Sequence, residues 1–250
     1  MVTLLPVVRR EMRVAARRRT TFLVRFVGAV SAVLLGGAFL LPAAIPGVAG
    51  ASGRLLLQIL GTLALILTLV AGPLLTADCI SRERREGTLG FLFLTDLNGL
   101  DVVAGKFAAL ALVPIHGLLA ALPVAALTLC LGGVTAAEFW AVQLVLFNTL
   151  FLSLAIGIWV SSLVSDDRQA LGTALALVAA VTLVPGVAGA TIQALLPHSE
   201  WTLVRIAGPA GILETAFDSG TRTGSSYFLF GLLFQHGLAW CFLATSALIV

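Results

Sequence analysis

The sequence predicts an all-α integral membrane protein with six transmembrane helices, an N-terminal amphipathic surface helix, and a short helix in the loop between spans two and three. Three observations predict this. The chain is 59% hydrophobic and only 11% charged, whereas soluble domains carry roughly 25% charged residues. Six runs carry no charge: Phe26–Gly53, Leu55–Ala77, Phe107–Ala137, Phe139–Ser165, Gln169–Ser199 and Thr223–Val250. Each holds the ~20 apolar residues needed to cross a bilayer core. The 15 Lys and Arg residues fall unevenly between the connecting loops, which sets an orientation.

Taken in order, the chain opens with Leu4 to Arg19. Leu5, Val8, Met12 and Ala15 fall on one helical face, and Arg9, Arg10, Arg13 and Arg17 on another. Such a basic amphipathic helix suits an anionic inner leaflet, and the same cluster also serves to hold the N-terminus inside. A cleaved signal peptide is disfavoured, because the apolar run that follows is too long and five more come after it. Pro42, Pro46 and Gly47 break the first run, so its span ends near Leu41, and the last span starts usefully at Tyr227. With the N-terminus inside, 12 basic residues lie on the inner side, and only Arg54, Arg205 and Arg222 on the outer. Asp78–Lys106 and the Asp166-Asp167-Arg168 turn are therefore inner, and Gly132 to Ala137 is an outer turn. The outer segment Pro197 to Ser226 is long, and its Ile206–Leu213 part is too short to cross. Gly208-Pro209 can start a small helix, with Pro at the first helical position, and Trp201 suits an interface. This segment reads as a re-entrant or surface helix plus a polar tip, Asp218 to Ser226; a plain loop is the alternative. The whole reads as one transmembrane domain over 1–250. It stops at Val250 inside an apolar run, as a fragment or one half of a longer polypeptide would.

The passage Asp78 to Lys106 is the one long charged stretch between two strongly apolar ones. Arg82, Arg84 and Arg85 sit in a last helical turn, where cations favour the helix dipole. Gly87 supplies a left-handed residue after it. Thr88 is an N-cap for a second, very short helix over Leu89 to Leu94. Phe91, Leu92 and Leu94 make that helix too apolar to face water, so a surface must cover it. Asn98 and Asp101 are spaced as a variant capping box with Leu97 and Val102 as a staple, which starts a third helix near Gly99. Leu92→Asp is expected to be the more damaging change, and Glu83→Lys the lesser, if Glu83 makes only an exposed ion pair worth ~1 kcal/mol or below.

Residues that could carry other chemistry are few. Cys79, Cys130 and Cys241 are far apart and define neither a disulfide framework nor a zinc site. His116 and His236 lie within spans; intramembrane ionisable groups invite a functional reading, but without a carboxylate or thiol partner in view each reads as a neutral, hydrogen-bonded packing residue. Asn148, Thr149 and Ser153 read as interhelical hydrogen-bonding groups, and Gly28, Ala32 and Gly36 form a small-residue stripe permitting close helix approach. Asp166-Asp167-Arg168-Gln169-Ala170 resembles the start of a prenyltransferase D-D-x-x-D motif but lacks its last acid. No G-x-S-x-G elbow, H-E-x-x-H helix or G-x-x-x-x-G-K-[ST] phosphate loop occurs. The chain thus carries no catalytic, metal or cofactor site of its own, and nothing in it points to a nucleic acid.

Glu83-Arg84-Arg85-Glu86-Gly87-Thr88-Leu89, followed by Leu92, Thr95 and Gly105-Lys106, resembles the inner loop of ABC transporter permeases of the exporter type-2 (ABC-2) class, which show an E-[KR]-x-x-G-T-[LM] run, a leucine-rich short helix and a G-K at the next span. Arg10-Glu11-Met12-Arg13 resembles the start of their membrane-surface connecting helix, which assigns Arg9, Arg10, Glu11, Arg13 and Arg17 to that element. Gly90 stands where an acid is common in the class, and Asp96 where proline is common. The resemblance implies a multi-pass permease of the plasma (inner) membrane with a cytoplasmic N-terminus and no ATPase of its own. Two permease copies or halves would pair with two ATP-binding subunits that hold ATP and Mg²⁺. Glu83, Arg84, Gly87, Thr88, Leu89, Phe91, Leu92 and Leu94 would form the coupling element docked in the ATPase. A membrane enzyme acting on a lipid diphosphate and a non-transporting anchor or channel subunit are the other classes the sequence admits.

Overall fold

A computed structural model describes residues 49–87, 99–195, 202–217 and 222–250. Among them the secondary structure is helical, with no strand: α1 Ala49–Thr76, α2 Ser81–Arg85, α3 Gly99–Leu131, α4 Ala136–Leu163, α5 Asp167–Leu195, α6 Thr202–Arg205, α7 Pro209–Ala216 and α8 Arg222–Ile249. Among the described residues five stretches are long and apolar enough to cross a membrane: α1 continued through α2, and α3, α4, α5 and α8. The first expected span, near Phe26–Leu41, lies outside the described residues. So do the surface helix with Arg9, Arg10, Glu11, Arg13 and Arg17, and the short helix with Thr88, Leu89, Phe91, Leu92 and Leu94.

The long helices run up and down, and α4 occupies the centre. In its most apolar window 83% of residues are buried, against 6% for α3 and 11% for α5. The reason is compositional: α4 carries Gln143, Asn148, Thr149, Ser153, Ser161 and Ser162, all buried, and a membrane helix with amides and hydroxyls along its length finds partners for them inside a bundle and not in lipid. α1 and α8 pack on it most extensively, with α3 against all three. Towards the Arg54 end the core gathers Leu57, Val142, Val145, Ile206 and Ile212. Towards the Asp78 end it gathers Ile80, Leu152, Ile158, Ala174 and Ala239.

The α1–α4 seam is a close approach of two long helices. A Cβ placed on Gly157 would lie 1.9 Å from Thr76 Oγ1, and one on Gly72 would lie 2.4 Å from the Ser153 carbonyl carbon. Gly72-x-x-x-Thr76 therefore meets Ser153-x-x-x-Gly157 at the small-residue spacing that lets backbones approach. Hydroxyls use the proximity: Ser153 Oγ donates to the Thr68 carbonyl at 2.8 Å, and Thr76 Oγ1 sits 2.8 Å from the Gly72 carbonyl and 3.3 Å from that of Leu154. Ser153 and Asn148 thus bridge helices as expected, whereas the Thr149 hydroxyl is buried without a hydrogen-bond partner. The stripe at Gly28, Ala32 and Gly36 falls outside the described residues.

Two boundaries differ from the sequence reading. α1 begins at Ala49, so Arg54 is inside a helix rather than between runs; Gly53 permits this by lying flat against the carbonyls of Gly132 and Thr128. α8 begins at Arg222, so residues 222–226 are helical and not part of a polar tip. The α3–α4 turn uses Gly132 and Gly133 at φ 79° and 77°, then a capping box: Thr135 Oγ1 accepts from the Glu138 N–H, and Glu138 Oε2 accepts from the Thr135 N–H. The Thr135-x-x-Glu138 spacing that encodes it is present in the sequence. α7 starts with Gly208 as N-cap and Pro209 in the first turn, as expected. It is not a surface helix: Ile212, Leu213 and Ala216 are buried against α8, α4 and α5.

Candidate functional site

The residues singled out between Asp78 and Lys106 come together where α1 ends. After Thr76 the chain turns through Ala77-Asp78-Cys79-Ile80 into the five-residue helix α2, then leaves through Gly87 at φ 68°. That left-handed glycine is the one anticipated.

Three sets of contacts fix α2. The first is an ion pair: Lys106 Nζ, near the start of α3, lies 2.8 Å from Glu83 Oε1. The side chains are only 10% and 23% exposed, which corrects the expectation of an exposed pair. A lysine inside an otherwise apolar helix needs a carboxylate, and the chain supplies one across the break.

The second set caps α2 from another helix. Its N-cap, Ile80, has no side chain able to cap. Ser161 Oγ of α4 instead accepts from the Ile80 N–H at 2.9 Å and the Ser81 N–H at 3.1 Å. Two of the donors a helix start leaves unsatisfied are thereby met.

The third set runs the other way. Arg84 donates to the Ser162 carbonyl at 2.9 Å, and Arg85 to that of Ser165 at 2.6 Å. These carbonyls belong to the last turn of α4 and the residues just past it, where acceptors are left open and the dipole favours a cation. The three arginines sit in the last turn of α2 as expected, and two of them, Arg84 and Arg85, also complement the end of α4. Asp78 braces the arrangement, its Oδ1 accepting from Ser81 Oγ at 2.8 Å and pairing with Arg85 at 2.6 Å. Arg82 pairs with Glu86 on the exposed side.

Of the expected coupling residues, Glu83, Arg84 and Gly87 are therefore assembled at one place, and Thr88, Leu89, Phe91, Leu92 and Leu94 lie outside the described residues. Sequence reasoning missed Ser161, Ser162 and Ser165. The signal was a hydroxyl-rich end to an otherwise apolar run. Asp166, weighed as a metal-binding acid, caps α5: its Oδ1 accepts from the Arg168 and Gln169 N–H groups at 2.9 and 3.0 Å.

A second polar set lies deeper. Trp240 Nε1 donates to His236 Nε2 at 3.0 Å. Since an indole N–H can only donate, the imidazole proton sits on Nδ1, which faces Asn148 Oδ1 at 3.0 Å. Asn148 Nδ2 donates to the Leu232 carbonyl and to Gln235 Oε1. His236 thus has both nitrogens engaged, and its ring stacks on Phe151. His116 turns Nδ1 to the Leu112 carbonyl of its own helix. At the opposite end, a cavity of about 320 Å³ is lined by Arg54, Gln58, Thr62, Leu213, Glu214 and Phe217. Its charged groups are already paired, Arg54 with Glu138 at 3.9 Å and Glu214 with Arg205.

Compared with known families, the chain matches a family model described as ABC-2 family transporter protein over residues 5–244. No curated protein matches it.

Proposed function

The chain belongs to the ABC-2 family of transporter proteins, and from that membership we propose that it is the permease subunit of an ATP-driven exporter. A separate ATP-binding subunit supplies ATP, Mg²⁺ and hydrolysis. A second permease copy or half completes the translocation path. The N-terminus and the Asp78–Lys106 loop face the cytoplasm at the inner membrane, where the surface helix with Arg9, Arg10, Glu11, Arg13 and Arg17 lies on the lipid. Thr88, Leu89, Phe91, Leu92 and Leu94 dock on the ATP-binding subunit, and Glu83, Arg84 and Gly87 anchor them.

The observation that carries this reading is the fixed root at α2. The segment 88–98 follows in sequence directly on a helix held by Lys106 on one side and the end of α4 on the other. A short apolar segment on such a mount suits the transfer of motion from a partner.

Leu92→Asp tests it. Burying one leucine is worth roughly 1.5–3 kcal/mol, so affinity for the ATP-binding subunit is expected to fall roughly ten- to a hundredfold while the spans still insert. Pull-down and ATPase assays on purified protein read this. Normal binding and transport in Leu92→Asp would remove the loop from the interface. Orientation is tested by cysteines at Arg85 and Thr221 in a chain lacking Cys79, Cys130 and Cys241. Position 221 is expected to label from outside intact cells, and labelling of position 85 from outside would reverse the topology.

A further inference from the structure

We infer that Ser161 is the positioning residue through which motion of the coupling loop enters the bundle, and that the motion passes into α4 directly rather than along the covalent chain into α1. The inference rests on the exporter reading above. Its ground is the reciprocal capping of α2 and α4. Ser161 Oγ closes the start of α2 by accepting from Ile80 and Ser81 at 2.9 and 3.1 Å. Arg84 and Arg85 close the end of α4 through the Ser162 and Ser165 carbonyls. Each helix thus satisfies the polar groups that the other leaves open at its terminus. Ser161 is fully buried, so water does not substitute for its hydroxyl, and pulling α2 away strands two N–H donors at once.

The link along the chain is less regular. Between Thr76 and Ser81 the α-helix gives way to hydrogen-bonded turns, with the Cys79 N–H bonding the Thr76 carbonyl, so the regular helix of α1 does not run on unbroken into α2. α4 offers no such break between Ala136 and Leu163. As the buried centre of the bundle it touches α1, α3, α5, α7 and α8. Displacement of its Ser161 end is therefore felt by every long helix, including the Asn148–His236 contact to α8.

The test compares Ser161→Ala, Ser161→Thr and Arg85→Gln chains, each purified with the ATP-binding subunit in lipid nanodiscs. Measured are affinity between the two, ATP hydrolysis at saturating permease, and melting temperature. Ser161→Ala is expected to keep its affinity but lose about tenfold in stimulated hydrolysis, the scale of two net hydrogen bonds. Ser161→Thr, which retains the hydroxyl, is expected to restore it. Arg85→Gln, exposed and remote from the core, is expected to show a smaller loss of the same kind without a change in melting temperature. Full stimulation in Ser161→Ala, or no rescue by threonine, would overturn the relay while leaving the exporter reading intact. An unmutated chain that neither binds nor stimulates the ATP-binding subunit would remove the exporter reading and the relay together.

Discussion

Gly157→Ala is expected to destabilise the bundle by about 1–3 kcal/mol, and Gly157→Leu by more than that, enough to prevent a monodisperse protein in detergent. The cause is the α1–α4 seam, where the new Cβ would stand 1.9 Å from Thr76 Oγ1. The clash is with a side chain, so it can be relieved: Gly157→Ala combined with Thr76→Ala is expected to melt higher than Gly157→Ala alone. Gly72→Ala meets the Ser153 backbone as well as its hydroxyl, and trimming Ser153 to Ala or Gly is expected to recover little. Size-exclusion profiles and melting temperatures of these chains and the parent decide it. Equal stability of Gly157→Leu and the parent would mean that α1 and α4 do not approach this closely.

Lys106→Met is the second large lesion. It removes the ammonium 2.8 Å from Glu83 while keeping the apolar stem. Breaking one side of a buried ion pair costs about 3–5 kcal/mol, and the partial exposure of Glu83 places the expectation near ~3 kcal/mol. The lesion should appear twice: as a lowered melting temperature, and as loss of ATPase stimulation because α2 is no longer tied to α3. Lys106→Arg is expected to be mild, and the charge swap Glu83→Lys/Lys106→Glu to recover part of both losses. A Lys106→Met chain as stable and as stimulating as its parent would show that the pair does not position α2.

Much of this was legible because membrane helices write themselves as charge-free runs. α4 and α5 end within a few residues of the charges that bound them, Gly208-Pro209 starts α7, and Gly87 takes its left-handed turn. Each of these is a local signal. What escaped depends on contact across many residues. Ser161 acquires its role from Ile80 and Ser81, about 80 positions earlier. The depth of Glu83 is set by Lys106 on another helix, so the spacing gave the motif but not its burial. Arg54 was assigned to a loop because a charge ended the run; it stays helical by pairing with Glu138 of α4 and bonding the Phe217 carbonyl. The Thr135–Glu138 box is different in kind, since both of its residues lie within one turn of sequence.

The central place of α4 also has a consequence for how the protein is made. Asn148 hydrogen-bonds Leu232, Gln235 and His236, and the span to His236 is 88 residues. A ribosome adding about 5–20 residues per second reaches His236 roughly 4–18 seconds after Asn148 has been synthesised. Through that interval α4 enters the lipid with its amide unmatched by the helix meant to receive it. A chain ending before α8 would leave the Asn148 amide without the Leu232, Gln235 and His236 groups that meet it in the finished bundle, and burying a polar group without a partner is costly.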